Sequence, residues 1–184
     1  MKTLLILGAG KEQVAAFEAA RAKAIRTIAL DMNPNAPAGV LADEFYPVST
    51  RDRDAILKFV REYPSKIDGV MTIASDIPHM VSTAAKIVGA PHIPVEVAEL
   101  CVHKLHMKEK LRDDGVNVPA FARIESADDL KAFAAKVGYP IIVKPVDSSG
   151  ARGVQRLSAG MDLGAAFAYA SGYSFGGGVI AEKF

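Results

Sequence analysis

The stretch from Gly138 to Val154 reads GYPIIVKPVDSSGARGV, an apolar run, a Gly/Ser loop and a second short run. Pro140 precedes Ile141, Ile142 and Val143, an apolar β-branched run bounded by turn residues, which predicts a buried strand. The strand delivers Lys144 at its end. Pro145 lacks the N–H that a ladder needs, so pairing should weaken there. Asp147 to Gly153 is small and polar, with glycines at 150 and 153, and Gly153 to Leu157 predicts a return strand. The unit is strand, Gly/Ser loop, strand, with a lysine at the mouth. Such glycines let successive backbone N–H groups turn toward one anion, and Lys144 adds a charge-assisted bond to a phosphate oxygen. An ordinary hairpin with a solvated lysine is the alternative. No G-x-x-x-x-G-K-[ST] string occurs in the chain, so this is not a Walker loop.

The 184 residues suffice for one large or two small domains. With 22 basic and 21 acidic residues the net charge is +1, so no global field recruits nucleic acid or an anionic membrane. The single cysteine, Cys101, excludes an internal disulfide, fits a reducing cytosol, and is expected to pack rather than react. Met1 to Leu7 has the charged start and apolar run of a signal peptide, but Gly8, Gly10 and Lys11 cut the run short, which predicts a buried first strand instead. No segment is long enough to span a membrane. A cytoplasmic protein without nucleic-acid or membrane partners is expected.

In the first half, strands are predicted over Thr3–Leu7, Thr27–Leu30 and Gly69–Ile73, with a short third strand around Phe45 and Tyr46 within Ala42–Val48. Helices are predicted over Glu12–Ala24, Arg51–Tyr63 and Pro78–Val88, the last ended by Gly89. Alternating strands and helices imply a parallel, doubly wound sheet. Gly8, Gly10 and, about twenty residues on, Asp31 invite a dinucleotide-binding reading, but Gln13 stands where the third glycine belongs. A plain tight turn is the simpler alternative. Lys11 and Glu12 follow Gly10 at a helix start that can hold an anion. Ser75 and Asp76 follow the fourth strand at the sheet's carboxyl edge, either as caps of the next helix or as ligand contacts.

In the second half, helices are predicted over Val95–Val102 and His103–Asp114, with Gly115 as stop and an extended exit through Pro119. A strand Phe121–Ile124 follows. A helix opened by Ser126 and Asp129 then presents Leu130, Phe133, Ala134 and Val137 on its apolar face. After the Lys144 hairpin come a helix over Asp162–Tyr169, a flexible turn over Gly172–Gly178, and a strand from Val179 to the end. His103 and His106 have metal-compatible i,i+3 spacing, but with no third ligand in view solvated histidines are expected. Lys108 and Lys110 read as a solvated face.

The string HKLHMKEKLRDDGV from His103, followed by the Lys144 hairpin and the terminal VIAEKF, resembles the nucleotide-binding segments of the ATP-grasp superfamily. The likeness is to its purine-biosynthesis, carbamoyl-phosphate-synthase-like and biotin-carboxylase-like branch. It is loose before Val95 and specific from Lys104 to Val154. His103 departs from the Asp or Asn that relatives often place before the lysine. The resemblance implies an α/β fold with a Rossmann-like pre-ATP-grasp domain over 1–102, which in this family binds no dinucleotide. It further implies a connecting lysine helix over 103–118 and the α+β lid subdomain over 119–184. It implies that Lys104 and Lys144 bind ATP phosphates and that Asp147, Ser148, Ser149, Gly150 and Gly153 cover them. Glu182, Lys183 and Phe184 would lie along adenine, Lys183 through its backbone. Gly10, Lys11, Glu12 and Asp76 would face the acceptor substrate. The implied activity is ATP-dependent carboxylate–amine ligation through an acyl phosphate, with ADP released. Mg²⁺ would assist from ligands beyond Phe184, and a homodimer is compatible. The family's fold is about half built at Phe184, so a piece of a longer product, inactive alone, is expected, with its loop at Asp147–Gly153 mobile until nucleotide binds. The alternatives are an NAD(P)-dependent oxidoreductase using Gly8, Gly10 and Asp31, and a noncatalytic nucleotide-binding module.

Overall fold

The computed structural model describes every residue from Met1 to Phe184, in two compact units, Met1–Glu99 and Leu100–Phe184. In the first unit, strands β1 (Thr3–Leu7), β2 (Arg26–Leu30), β3 (Glu44–Tyr46) and β4 (Gly69–Met71) form a parallel sheet of order β3-β2-β1-β4. Alternation along β1 and β2 sends Leu5, Leu7, Ile28 and Leu30 to one face, against α2 (Arg53–Glu62) and α3 (Pro78–Val88). Ile6 and Ala29 go to the other face with Phe17 of α1 (Val14–Ala22). Both faces are therefore covered, which is why these strands read as continuous apolar runs.

Local chemistry sets the boundaries. The helix predicted from Glu12 begins as a 3-10 turn over Lys11–Gln13 before α1. The Asp52 carboxylate accepts from the Ala55 N–H to start α2. Pro78 opens α3, and Gly89 at φ +70 closes it, residue for residue as predicted. The third strand is short and includes Phe45 and Tyr46, as expected, and it stops before Pro47, which has no N–H to donate. The fourth ends at Met71, where the Thr72 hydroxyl donates to the Leu7 carbonyl at 2.7 Å. On the β3 edge the Glu44 carboxylate accepts from Arg26, from the Tyr46 hydroxyl at 2.6 Å and from the Tyr63 hydroxyl at 2.9 Å. The Tyr46 bond, foremost, holds the Glu44 carboxyl below its usual range, and burial foremost pushes Tyr63 up to about 12.

In the second unit, β5 (Phe121–Ile124), β6 (Ile141–Pro145), β7 (Gln155–Leu157) and β8 (Val179–Lys183) form an antiparallel sheet of order β5-β8-β6-β7. The helices α6 (Ala127–Val137) and α7 (Leu163–Gly172) cover one face, burying Leu130, Phe133, Ala166 and Ala170 against Ile141, Val143, Leu157 and Val179. Ser126 and Asp129 make the expected cap, and Asp162 caps α7. At Pro145 the pairing is lost only on one side: β7 stops opposite Val143, while β8 continues opposite Pro145. The opposite face packs Ile180, Val146 and Phe121 on Leu105 of α5 (Lys104–Asp113). The helix α4 (Val95–Val102) precedes α5. No helix is long and apolar enough to cross a membrane.

Candidate nucleotide site

Period two along β6 puts Ile141 and Val143 into the helix-covered core and Lys144 on the opposite face. The register pairs Ile142 with Glu182 and Lys144 with Ile180, so Glu182 shares that face. Lys104 and Lys108 are one helical turn apart on α5, whose Leu105 packs there too. Four charged side chains of three elements thus converge. Lys144 Nζ lies 2.7 Å from Glu182 Oε1, and Lys108 Nζ lies 3.3 Å from Oε2. The Lys144 contact is an ion pair without hydrogen-bond alignment, since Oε1 has no directed donor. The Lys108 side chain is only 12% exposed, which corrects its reading as a solvated lysine. The i+4 spacing from Lys104, which puts the two lysines on one helix face, is the sequence signal that could have found it. Lys110 is exposed and pairs with Asp114, as a solvated residue should.

Lys104 is tied to the loop after β6 twice. Its N–H donates to the Val146 carbonyl at 2.8 Å, and its ammonium donates to the Ser148 carbonyl. The Asp147 carboxylate is engaged by a second loop, over residues 174–176. It accepts from the Ser174 hydroxyl at 2.6 Å, the Phe175 N–H at 3.1 Å and the Gly176 N–H at 2.8 Å. Ser148 and Gly153 are buried, and Gly150 to Arg152 are exposed. Gly150, Ala151 and Gly153 all have left-handed backbones, at φ +66, +57 and +73, which turns the loop sharply between its anchored ends. At the far edge Arg156 stacks over the Phe184 ring at 4.8 Å. The Lys183 N–H is engaged by the Ala120 carbonyl at 2.8 Å, and its ammonium donates to the carbonyls of Gly138, Tyr139 and Pro140. His103 caps α5 through Nδ1 and stacks on His106, ring centroids 3.6 Å apart. Burial, then the neighbouring His106, lowers the His103 pKa. Cys101 is exposed, against the expectation that it packs. No cluster of three or more His, Cys, Asp or Glu side chains is arranged around a metal position. A surface groove of ≈ 500 Å³ beside β5 and α6, lined by Phe121, Ile124, Phe133 and Val137 among others, includes none of the clustered lysines.

In the first unit, Gly10 leads into the 3-10 turn, and Lys11 and Glu12 are exposed. Asp76 is exposed and does not cap α3. Ile77 holds that position, with no side-chain bond, so neither Ser75 nor Asp76 is the expected cap. Gln13 is buried under the glycine turn: its Oε1 would lie 3.0 Å from a Cβ at Gly10, and its amide donates to the Ile73 carbonyl. It therefore ties the β1 turn to the end of β4, in the space a third glycine would leave open. Asp31 accepts from the Ala9 N–H at 2.8 Å and the Asn33 N–H at 2.9 Å. The carboxylate a dinucleotide ribose would need, and one of the amides its phosphates would need, are thus spent on each other. The dinucleotide alternative is not favoured.

The family model of the PylC-like N-terminal domain matches residues 4–87, and that of the carbamoyl-phosphate synthase L chain ATP binding domain matches residues 104–184. A formate-dependent phosphoribosylglycinamide formyltransferase of Paraburkholderia xenovorans (strain LB400) is 32% identical over 187 residues, covering 98% of this chain and 46% of that protein. The crystal structure of an L-amino acid ligase from Bacillus licheniformis superposes with a TM-score of 0.75 at 27% identity, covering all of this chain and 44% of that one. An N5-carboxyaminoimidazole synthetase from Staphylococcus aureus, complexed with ADP, gives a TM-score of 0.75 at 22% identity, a likeness of fold, over 47% of its length. The chain spans about half the length of the curated relatives it matches. Its two parts are thus similar in turn to a PylC-like N-terminal domain and to the ATP binding domain of the carbamoyl-phosphate synthase L chain, and the chain resembles the N-terminal part of its relatives.

Proposed function

We propose that the protein carrying this chain is an ATP-dependent carboxylate–amine ligase. A substrate carboxylate oxygen attacks the γ-phosphorus of ATP, ADP leaves, and an amine then displaces phosphate from the acyl carbon. Because the relatives run to about twice this length, the activity is assigned to the whole protein and not to this chain alone. The observation that carries the reading is the convergence of Lys104, Lys144 and the glycine-bearing loop on one sheet face beside Glu182. The ammonium groups of Lys104 and Lys144 would donate to phosphate oxygens whose charge changes during transfer. Ser148 to Gly153 would fold over them, and the β8 end, Glu182 to Phe184, would hold adenine. Asp147 would serve the site through its loop contacts. Gly10, Lys11, Glu12 and Asp76 would meet the acceptor. Mg²⁺ would supply charge neutralisation of the phosphates, and no residue of this chain is assigned to hold it.

The test is nucleotide titration of the chain followed by amide and lysine NMR signals, a method that reads millimolar affinities. ATP and ADP should shift the signals of Lys104, Lys144 and residues 148–153, and NAD should not. Undisturbed signals with ATP, or shifts that survive Lys144→Ala unchanged, would refute the assignment.

A further inference from the structure

Glu182 is the one carboxylate among the chain's buried residues, and it is flanked by two ammonium groups. One lysine would neutralise it. The second leaves the cluster with a surplus positive charge. The two contacts also differ in kind. Lys144 sits 2.7 Å from Oε1 with no directed hydrogen bond, so the orientation is not locked. Lys108 is fixed on α5, one turn beyond Lys104, with its side chain 12% exposed.

We propose that Lys108 is a positioning residue: it compensates Glu182 so that Lys144 is released to bind an anionic phosphate. This rests on the nucleotide reading above. A buried carboxylate that loses its only partner is strongly unfavourable. Without Lys108, moving Lys144 onto a phosphate would strand Glu182. With Lys108 in place, the carboxylate keeps a counter-ion while Lys144 turns to the ligand. Lys108 then controls nucleotide affinity without touching nucleotide.

The experiment is a double-mutant cycle on this chain, with ATP affinity read by NMR titration and stability by urea unfolding. Lys108→Met should weaken ATP binding about tenfold, the worth of one charge-assisted contact, and Lys108→Arg should restore most of it. In a Glu182→Gln background, where no carboxylate holds Lys144, Lys108→Met should leave ATP affinity unchanged. If Lys108→Met does not fold, the comparison within the Glu182→Gln background still decides. A persistent tenfold loss there would mean that Lys108 meets the nucleotide itself, and the inference falls. Lower stability with unchanged ATP affinity in Lys108→Met alone would reduce Lys108 to a structural ion pair and also overturn it. Lys144→Met separates the two readings. If it abolishes ATP binding while Lys108→Met does not, only this inference fails. If the unmutated chain shows no response to ATP, both fail.

Discussion

Replacing Gly153 by alanine tests whether the loop after β6 is shaped by packing or only by its need to meet an anion. Gly153 has φ +73, and a Cβ there would lie 2.8 Å from Tyr173 Cβ and 3.0 Å from Pro145 Cδ and Cγ. Neither neighbour is the far end of a flexible side chain. Pro145 is held opposite Val179 in the sheet, and Tyr173 caps the end of α7. Gly150 is the internal control, because φ is +66 there and nothing lies within 4 Å. Both alanines carry the left-handed backbone penalty, on the order of 1 kcal/mol. Only Gly153→Ala adds an overpacking cost, typically about 1–3 kcal/mol. Gly150→Ala should therefore cost about 1 kcal/mol and Gly153→Ala about 2–4 kcal/mol. Urea unfolding followed at the amide signals of β6 and β7 reads both. A difference below about 0.5 kcal/mol, the scatter of ordinary surface substitutions, would refute the packing argument.

Three further outcomes are expected. Glu44 has a folded pKa below its ordinary value of 4.5, so its contribution to stability is present above that value and is lost as pH falls through the folded pKa. Glu44→Gln should flatten the acid limb of a stability–pH curve, and an unchanged limb would exclude it as the source. Asp31→Ala removes the acceptor of the Ala9 and Asn33 N–H groups and should cost about 1–3 kcal/mol in thermal unfolding without affecting β6–β8 amide exchange. In the protein carrying this chain, Lys144→Ala and Lys104→Ala should each slow ADP formation by about 2–4 kcal/mol of barrier. Lys104→Ala should also raise exchange at residues 146–148, because it alone donates to the Ser148 carbonyl, and full turnover in either variant would remove that lysine from the site.

Much of the fold was legible because its signals are local. Pro78 and Gly89 bracket α3, Ser126 and Asp162 cap their helices, and the β-branched run at Ile141 pairs on both sides. The lysines at 104 and 144 were legible through family likeness, and the structure brings both to one sheet region. What was missed depends on partners distant in sequence. Lys108 looks solvated beside Lys110 until Glu182, on the last strand, arrives against it. Ser75 and Asp76 have cap-forming side chains, but Ala74 takes a left-handed backbone at φ +54 and the helix starts two residues after Asp76. Cys101 stands on the outer side of a short helix of which only Ala98 is fully buried, so the apolar average of α4 hid its exposure.

Asp147 poses the sharper physical question, since on the proposed reading an acidic residue at the start of the loop would repel a phosphate. The structure resolves this by giving its two oxygens three donors on the 174–176 segment. A carboxylate so satisfied has its charge largely met by oriented N–H and O–H dipoles rather than by the lysines. Lys104 is left to engage the next carbonyl along, that of Ser148, and Lys144 to engage Glu182. The loop is therefore pinned at its start through Asp147 and Ser148 and at its end through the packing of Gly153. Its exposed span is confined to Gly150–Arg152, with Arg152 donating back to the Ser149 carbonyl at 3.0 Å. On the proposed reading, a loop anchored in this way would have few residues to order on covering a ligand, which would lower the entropic cost of doing so.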